Sequence, residues 1–551
     1  MRKNVVFWIT AWPAIAMSAC ATFQPPPSRP PRLETAKACA DWRWIGISRP
    51  GARCPDIPGW TVRPLFAQLS PAPQRSEDYC ATKESERVPG PEVIRELSRF
   101  CVYEVEHKWP VQSKISPPKS TELVRLDQDC ASLVASGGPT DPSVESAEFL
   151  AKSRDFPAVT SLAAKPSTIT NTNGVRLAFL DTQPTSEDPP EWQGRSPHGF
   201  VLAYIGKNLV CEGKRCAARI TTRLALPIID FNPKSWKLTQ RDEVRGGYLG
   251  MQSDLAEAIR SEVETWQEHR RRGSSERHLV LNLSLAWEGE LFGGLGEEQI
   301  AEMRAGTQAV YRALQYAAGF DALVLAAAGN KKAEPCSNFG PLLPAAWETG
   351  SARDENCREP RQPLLYAVGG LGADGSALVN ARPGGIPRRA AYAENAVVPS
   401  PLAPQYMATL TGSSTPGYTA TLTGSSVAAA VVSSIAAVVW AAFPEKSSSQ
   451  IMEILDKSGE DMLVPADFWF GASAFPPAPR PNVHRLSLCP ALQEACAEEG
   501  PTCHLQVQCD HPRRASSALP QPSDPRVWPG EHCQPWLSPQ PESPPCPSCP
   551  P

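Results

Sequence analysis

The sequence predicts an α/β fold in which a mostly parallel β-sheet is covered by helices on both faces. Three short apolar runs have the length and composition of buried strands, at residues 175–180, 278–285 and 322–327. Longer stretches with helical spacing alternate with them, at residues 198–210, 254–271, 297–317, 427–443 and 448–457. This alternation is typical of a parallel sheet, whose strands need cover on both faces. In such sheets, sites form beyond the carboxyl ends of the strands.

The chain begins with the pattern of a signal peptide at residues 1–19. Two basic residues precede an apolar run at 5–16, and Met17-Ser-Ala-Cys20 closes that run with small residues. The ending resembles a bacterial lipobox, in which Cys20 becomes the lipidated first residue; an ordinary secretory signal is the alternative. Both patterns predict export, and the first predicts a cell-envelope lipoprotein anchored to a membrane at Cys20. The Pro-rich residues 20–37 suit an extended tether.

A small cysteine-containing region follows at residues 38–165. Pro91 is suited to the first turn of a helix, and apolar residues at helical spacing continue to Val102. The sequence therefore predicts a helix here. At the other end, residues 478–551 are rich in Pro, Ser and Cys with little periodicity, which predicts a disordered or disulfide-stapled tail.

Composition sets broad bounds on the function. A chain of 551 residues has room for two or three domains, and a hydrophobic content of 41% is enough for a core. The formal net charge of -4, from 54 basic and 58 acidic residues, gives no footprint of nucleic-acid binding. We therefore expect no nucleic-acid partner.

The 17 cysteines favour an oxidising compartment. If Cys20 carries lipid, an even number remains for disulfides. Two pairs are placed to bridge locally, Cys211 with Cys216 and Cys336 with Cys357. The others form two odd sets, so complete pairing requires at least one bridge between the sets. The sets are Cys39, Cys54, Cys80, Cys101 and Cys130 in the N-terminal region, and the seven cysteines from Cys489 onward.

Zinc binding is the rival use of the tail cysteines. Cys546 and Cys549 have CxxC spacing, Cys503 directly precedes His504, and Cys509 lies two residues before His511. No second CxxC completes a four-ligand pattern, so the sequence assigns no metal site.

Four segments carry residues suited to one proteolytic site, in the order Asp, His, Asn, Ser. Asp181 ends an apolar strand, His198 opens a helix, Asn330 follows a strand, and Ser426 precedes a long apolar helix. A serine hydroxyl is inert near neutral pH until an imidazole can take its proton, and a carboxylate orients that imidazole. An amide side chain can stabilise the oxyanion.

These segments resemble the motifs of the subtilases, the subtilisin-like serine proteases, over about residues 168–465. The family's acid, base and oxyanion motifs resemble Leu177-Ala-Phe-Leu-Asp181-Thr182, His198-Gly-Phe-Val-Leu-Ala203 and Ala327-Ala-Gly-Asn330. Its substrate strand and nucleophile motif resemble Asn282-Leu-Ser284-Leu-Ala286 and Gly424-Ser-Ser426-Val-Ala-Ala-Ala430. Further matches are Leu343-Pro-Ala-Ala346, Leu365-Tyr-Ala-Val-Gly-Gly370 and Asp374-Gly375. The resemblance implies a subtilisin-like three-layer domain.

The resemblance also implies roles for individual residues. Ser426 would be the nucleophile, His198 the general base, Asp181 its orienting acid, and Asn330 an oxyanion donor. Backbone groups of Ser284, Leu285 and Ala286 would bind an extended protein or peptide substrate, and Ala327, Ala328 and Gly329 would wall the first specificity pocket. No organic cofactor is implied. Structural calcium is frequent in the family, but no Asp-rich loop assigns a site for it.

Several positions depart from the family pattern. Phe200 and Tyr204 replace smaller residues of the base helix, Gln183 replaces a glycine, and the proline after the nucleophile motif is missing. Each change is expected to narrow or reshape the cleft. The resemblance leaves residues 38–165 open as a propeptide or an accessory domain.

Ser414 is the competing nucleophile, because residues 408–414 repeat almost letter for letter as residues 420–426. Only the second copy runs into a long helix, which favours Ser426. That helix, at 427–443, is marginal in length for a membrane span, and a buried core helix fits the same pattern.

The prediction is therefore an exported serine endopeptidase that works through an acyl-enzyme. A catalytically inactive subtilase-fold lipoprotein kept for binding is one alternative. Another alternative is a structural cell-envelope lipoprotein whose motifs match by coincidence. It would be favoured if Asp181, His198 and Ser426 lay beyond hydrogen-bond reach of one another.

Overall fold

The computed structural model describes a large part of the chain between Cys39 and Cys503. The described residues are 39–67, 69, 89–105, 118–135, 174–182, 197–212, 215–226, 228–229, 248–287, 303–330, 340–349, 363–372, 375–378, 380–394, 396–399, 419–462, 464, 482–500 and 503. The predicted signal peptide, tether and Cys20 lie outside this part, as does Ser414.

The strands in the described residues are numbered in chain order. They are β1 (Cys39–Ser48), β2 (Thr61–Pro64), β3 (Phe100–Glu104), β4 (Leu123–Ala135), β5 (Val175–Asp181), β6 (Cys211–Glu212), β7 (Arg215–Cys216), β8 (Ala218–Leu224), β9 (Ile228–Ile229), β10 (Tyr248–Met251), β11 (His278–Leu283), β12 (Leu285–Ala286), β13 (Leu323–Ala327), β14 (Tyr366–Leu371), β15 (Arg389–Tyr392), β16 (Ala396–Pro399), β17 (Thr419–Leu422), β18 (Glu460–Met462) and β19 (Val483–Arg485).

The helices are numbered in the same way. They are α1 (Pro91–Leu97), α2 (Pro197–Val210), α3 (Gln252–Arg271), α4 (Ala305–Gly319), α5 (Ser425–Ala442), α6 (Ser448–Ser458) and α7 (Leu488–Glu499), with a short 3-10 helix at Ala345–Thr349.

An eight-stranded sheet forms the centre of the molecule, in the order β18-β19-β15-β14-β13-β11-β5-β8. Every neighbouring pair is parallel except β18 with β19 at the margin. Alternate residues of β5 face opposite sides: Phe179 packs with α2 and α5, whereas Leu180 packs with α3 and α4. Helices thus cover both faces, and the predicted α/β class is confirmed.

Helix α5 lies inside the first of these two layers. From Ser425 to Ala441 all of its residues are buried, in a core that also contains residues of α2, α6 and α7. It is long and apolar enough to cross a bilayer by composition, yet 94% of that stretch is buried within the protein. The helix therefore serves as the buried core helix that the sequence favoured.

A seven-stranded antiparallel sheet joins the N-terminal region to the rest of the protein. Its order is β2-β3-β1-β4-β10-β9, and β12 also pairs with β4. The helix predicted from Pro91 is shorter than expected, because it ends at Leu97 and Phe100 to Glu104 form β3. Pairing of β3 with both β1 and β2 overrides the helical spacing of these residues.

A buried ionic cluster lies where the N-terminal region meets α3. The Arg43 guanidinium contacts three carboxylates: Glu104 at 3.1 Å, Asp129 at 3.3 Å and Asp254 at 2.9 Å. Although burial alone would lower it, these carboxylates raise the pKa of Arg43. Burial raises the pKa of Asp129 to about 6, and Ser253 at the start of α3 donates a hydrogen bond to it.

The start of α4 is held by the same region. The Ala305 N–H, at the first residue of α4, donates to Asp127 Oδ2 at 2.8 Å. A carboxylate at this place satisfies an orphan N–H and complements the helix dipole.

Disulfides occur both in the N-terminal region and beside the central sheet. The local bridge predicted between Cys211 and Cys216 is present, and Cys54 is bonded to Cys101. Cys503 is bonded to Cys496, which removes it from the alternative zinc set. Cys336, Cys357 and the CxxC pair at 546 and 549 lie outside the described residues.

Ordered structure continues beyond residue 478, where the sequence placed the start of the tail. β19 pairs in parallel with β15, and α7 buries Leu488, Leu492 and Ala495 against the core that contains α5. The central sheet thus extends to at least Arg485. Apart from this extension, the domain boundaries stay a prediction.

Candidate active site

Three neighbouring parallel strands bring most of the predicted site residues to one end of the sheet. Asp181 is the last residue of β5, Ser284 directly follows β11, and Asn330 comes three residues after β13. All three lie at carboxyl ends, where sites of parallel sheets form. Each of these side chains is buried.

Asp181 and His198 form the first half of the arrangement. His198 Nδ1 lies 2.8 Å from Asp181 Oδ1, and both side chains are fully buried. Because a carboxylate is an acceptor, the imidazole carries its proton on Nδ1, which leaves Nε2 as the acceptor. Among the described residues, His198 Nε2 has no hydrogen-bond partner. A buried imidazole nitrogen in this state can receive a proton from a nucleophile.

Thr182 fixes the start of α2 against β5. Its N–H donates to Asp181 Oδ1 at 2.7 Å, and its hydroxyl accepts a hydrogen bond from the Gly199 N–H at 2.9 Å. Asp181 and His198 are thus held together although only seventeen residues separate them in sequence.

Ser426 lies at the beginning of α5. Its carbonyl oxygen accepts a hydrogen bond from Ser284 Oγ at 3.1 Å, and Ser284 Oγ is also 2.8 Å from Asn282 Oδ1. Further along the helix, Asn282 Nδ2 donates to Ser433 Oγ at 3.1 Å. The carboxyl end of β11 therefore holds the first turn of α5, and the helix runs antiparallel to the strand.

Helix α2 runs in the same direction as α5. His198 at its start contacts Asp181 at the end of β5, whereas Gly206 packs on Phe179 two residues earlier in the strand. Since β5 and β11 are parallel neighbours, two helices that are antiparallel to them are parallel to each other.

The register of the two helices is set by Gly206 and Ser434. A Cβ at Gly206 would lie 3.4 Å from Ser434 Oγ, so the helices touch at this level. Gly206 follows His198 by eight residues, and Ser434 follows Ser426 by eight residues. Eight residues span about 12 Å along a helix, so His198 and Ser426 occupy matching positions at the same ends of neighbouring helices. No hydrogen bond joins His198 Nε2 to Ser426 in this structure.

Asn330 is bound to the residue before the proposed nucleophile. Its Oδ1 accepts from the Ser425 N–H at 3.0 Å, and the Ser425 hydroxyl accepts from the Gly329 N–H at 3.0 Å. Since Oδ1 is held by the Ser425 N–H, the orientation of the Asn330 amide is fixed, and Nδ2 is the end that can donate to another group. Gly424 has a φ of 155°, and a Cβ there would lie 2.8 Å from Asn330 Nδ2, so glycine is required at this turn.

The predicted substrate strand is occupied by the protein itself. Leu285 and Ala286 pair antiparallel with Ala135 and Val134 of β4. On its other side the same part of β4 pairs with β10, where Leu249 is opposite Val134 and Gly250 is opposite Leu133. Residues 131–135, here called the cleft segment, therefore lie between β10 and β12.

The residues predicted to wall the first specificity pocket lie at the carboxyl end of β13. Ala327, Ala328 and Gly329 follow one another at the end of β13, all leading to Asn330. Within the described part of the chain, no group of three or more His, Cys, Asp or Glu side chains could hold a metal ion. The calcium expectation stays untested.

Sequence reasoning missed the cleft segment and the roles of Ser425 and Ser284 hydroxyls. Leu133 and Val134 between small residues were a weak signal of a strand at 131–135. The two hydroxyls gave no signal, because serine is common in turns and strand ends.

Comparison with known proteins finds one family model that matches part of the chain. The subtilase family model (peptidase S8) matches residues 252–467, a range that includes Ser284, Asn330 and Ser426. No curated protein matches the chain.

Three solved structures show weak overall likeness to the chain. The prenylagaramide maturation protease PagA is 17% identical, with 62% of this chain and 99% of that chain covered and a TM-score of 0.35. The MycP3 protease of the type VII (ESX-3) secretion system is 20% identical, with 66% and 93% covered and a TM-score of 0.35. A structure of subtilase cytotoxin SubAB assembly is 17% identical, with 62% and 93% covered and a TM-score of 0.37.

The family assignment rests on the matched segment and not on these likenesses. Asp181 and His198 precede that segment, and their hydrogen bond was found from the fold alone. Residues 252–467 are therefore similar to the subtilases, a family of serine peptidases.

Proposed function

We propose that the protein is a serine endopeptidase that hydrolyses peptide bonds with Asp181, His198 and Ser426. The observation that carries the proposal is the buried Asp181–His198 hydrogen bond at the start of α2, in register with Ser426 at the start of α5. A nucleophile, a base and an orienting acid on three separate elements are the parts that peptide hydrolysis by serine requires.

The mechanism follows from the positions of the donors and acceptors. Ser426 Oγ attacks the peptide carbonyl carbon while His198 Nε2 takes its proton, and Asp181 stabilises the imidazolium. The Asn330 Nδ2 and the Ser426 N–H donate to the oxyanion, with the start of the α5 dipole nearby. His198 then gives the proton to the leaving amine. Water, deprotonated by His198, hydrolyses the acyl-enzyme and restores Ser426.

The cleft segment makes the protein, as folded, a latent enzyme. An extended substrate would need the backbone groups of Leu285 and Ala286 that β4 already uses. The ionic cluster around Arg43 and the Asp127–Ala305 hydrogen bond hold the rest of the N-terminal region on α3 and α4. Residues 39–135 therefore act as an inhibitory segment, which favours the propeptide interpretation over the accessory domain.

The proposal includes export and anchoring. The signal pattern at residues 1–19 supports export, and Cys20 in its lipobox-like setting supports a lipid anchor in the bacterial cell envelope. The substrates are then proteins or peptides on the outer side of the membrane that holds the anchor.

Labelling of the signal-free chain with a fluorophosphonate probe tests the proposal. We expect Ser426→Ala to abolish labelling and Ser414→Ala to retain it. The cleft is opened by Val134→Pro, which removes a backbone N–H from the cleft segment, and Val134→Ala is the matched control that keeps this donor. Val134→Pro should label at least about tenfold faster than Val134→Ala, because β4 pairs on both sides at this residue.

The occupied cleft also favours a second candidate, a subtilase fold kept for binding. If neither the intact chain nor the folded Val134→Pro variant reacts with the probe, the serine is not activated and this second function replaces the first. Labelling that persists in Ser426→Ala would instead reject Ser426 as the nucleophile.

A further inference from the structure

The cleft beside the proposed nucleophile is bounded by two short runs of backbone. One wall is Ala327, Ala328 and Gly329 at the end of β13, and the other is β12 with the residue that follows it, Trp287. The side chain that precedes the scissile bond of a substrate must enter between these walls. What fills the base of this space therefore decides which substrates fit.

Leu342 connects the two walls at their base. Its N–H donates to the Ala328 carbonyl at 2.9 Å. The next residue, Leu343, pairs with Trp287 through both backbone groups, at 2.9 and 3.0 Å. Residues 342 and 343 therefore cross from one wall to the other, and Leu342 lies at the wall formed by Ala328 and Gly329.

The Leu342 side chain packs directly on Gly329. A Cβ at Gly329 would lie 2.5 Å from Leu342 Cδ1 and 2.7 Å from Leu342 Cγ, so the isobutyl group occupies the space next to this wall. Leu342 is buried, with 5% of its surface exposed. A large substrate side chain and Leu342 cannot occupy the same space.

Leu342 has little room to move away. The Ala346 N–H donates to the Leu342 carbonyl at 3.0 Å and ties it to the 3-10 helix. The next residue, Leu343, packs in the core with two buried indoles, Trp287 and Trp347, whose rings meet edge to face with centroids 5.6 Å apart. Close-packed aromatic groups of this kind resist displacement.

The cleft segment gives an independent indication. Its last residue, Ala135, pairs with Leu285, one residue from the Ser284 whose hydroxyl contacts the Ser426 carbonyl. The residue of the cleft segment at this position is thus an alanine, one of the smallest residues.

We infer that the enzyme cleaves after small residues, of the size of alanine, serine or glycine, because Leu342 fills the base of the first specificity pocket. This inference rests on the proposed function. It names the substrate class of the site: extended peptides with a small side chain before the scissile bond.

Two quenched fluorescent peptides that differ only in alanine or phenylalanine before the scissile bond provide the test. The full signal-free chain is used, with Val134→Pro to open the cleft and the fluorophosphonate probe to count active sites. We expect kcat/KM for the alanine peptide to exceed that for the phenylalanine peptide by at least about tenfold. Leu342→Ala should reduce this ratio by at least about tenfold, chiefly by raising turnover of the phenylalanine peptide.

Leu455→Ala is the matched control, because Leu455 is also buried but lies in α6, away from Ala328 and Gly329 in sequence and in element. The same truncation there should leave the alanine-to-phenylalanine ratio unchanged, and a ratio does not depend on how much protein is folded. Preference for phenylalanine before the substitution, or an equal effect of Leu342→Ala and Leu455→Ala on the ratio, would overturn the inference. Labelling of Ser426 in the same experiment would still support the proposed function. Failure to label Ser426 at all would overturn both.

Discussion

The two helix layers of the central sheet differ in what covers them. Helix α5 is buried by α2, α6 and α7, and nearly all of its neighbours are apolar. The beginnings of α3 and α4 are covered by residues 39–135, through the Arg43 cluster and the Asp127–Ala305 hydrogen bond. The second layer differs because buried charges add to its apolar contacts: Ile45, Phe66 and Phe100 pack in the same core as α3 and α4.

The largest expected effect is at the charged junction. Arg43→Met leaves Asp129 and Asp254 without their cation, and breaking a buried pair on one side costs about 3–5 kcal/mol. We expect a loss of this size in the free energy of unfolding by urea, with faster fluorophosphonate labelling. Arg49→Met, at an exposed position, is the control and should change the stability by less than about 0.5 kcal/mol. Equal effects of the two variants would show that the junction is not held by charge.

A steric change tests the layer that contains α5. Gly206→Val places methyl groups where even a Cβ would lie 2.6 Å from Phe179 Cζ, so α2 must move away from β5 and α5. Overpacking of this kind costs about 1–3 kcal/mol in the free energy of unfolding. His198 should shift from Ser426, which lowers the labelling rate in the Val134→Pro background.

The control for this variant is Lys207→Val, one residue along the same helix at an exposed position. It adds a β-branched side chain without touching the α2–α5 contact. A labelling rate that falls equally in both variants would mean that helix propensity, and not register, is responsible.

The layer that contains α5 should lose stability in acid through His278. Burial lowers the pKa of His278 to about 4, and its ring stacks on Trp440 while Nε2 donates to the Pro444 carbonyl at 2.8 Å. The unfolded chain binds this proton near pH 6.5, so the contribution is complete above that pH and falls as the pH drops toward 4. The slope is at most about 1.4 kcal/mol per pH unit. In His278→Gln, the free energy of unfolding measured with urea should lack this dependence on pH. The same dependence in the variant would show that His278 is not its source.

The junction should respond to pH in the opposite sense. The pKa of Asp129 is raised to about 6, above its ordinary value near 3.8, so the folded protein binds this proton more readily than the unfolded chain. The contribution of Asp129 is therefore present below about pH 4 and is lost as the pH rises through 6. Urea unfolding of the parent and of Asp129→Asn is to be compared between pH 4 and 7. With rising pH, the free energy of unfolding of the parent should contain a decrease that is missing from Asp129→Asn. If the contribution of Asp129 to the free energy of unfolding instead increased with pH, the raised pKa would be contradicted.

Elements that depend on local pattern were predicted well. The three strands β5, β11 and β13 and the helices α2, α3, α5 and α6 begin and end within a few residues of their predicted positions. Each has a long apolar run or a clear helical period, and each predicted site residue lies at the end of one of them. The resemblance to subtilase motifs, and not these periods, predicted that Asp181 and His198 act at one site.

Elements that depend on distant partners were not predicted. The sheet that joins β4 to β10 and β12 pairs residues more than a hundred positions apart, and β10 and β12 are too short to show a period. Residues 100–104 have helical spacing but become β3 through pairing with β1 and β2. β19 and α7 were hidden in a Pro-rich stretch, because their burial depends on β15 and α5.

The position of β4 also has a consequence for the handling of this protein in the cell. If the N-terminal region departs, β10 and β12 become edge strands with unpaired N–H and C=O groups, and such edges readily recruit another chain. The same property that lets them capture a peptide invites aggregation. While β4 stays in place, it covers these edges of β10 and β12 within the same molecule.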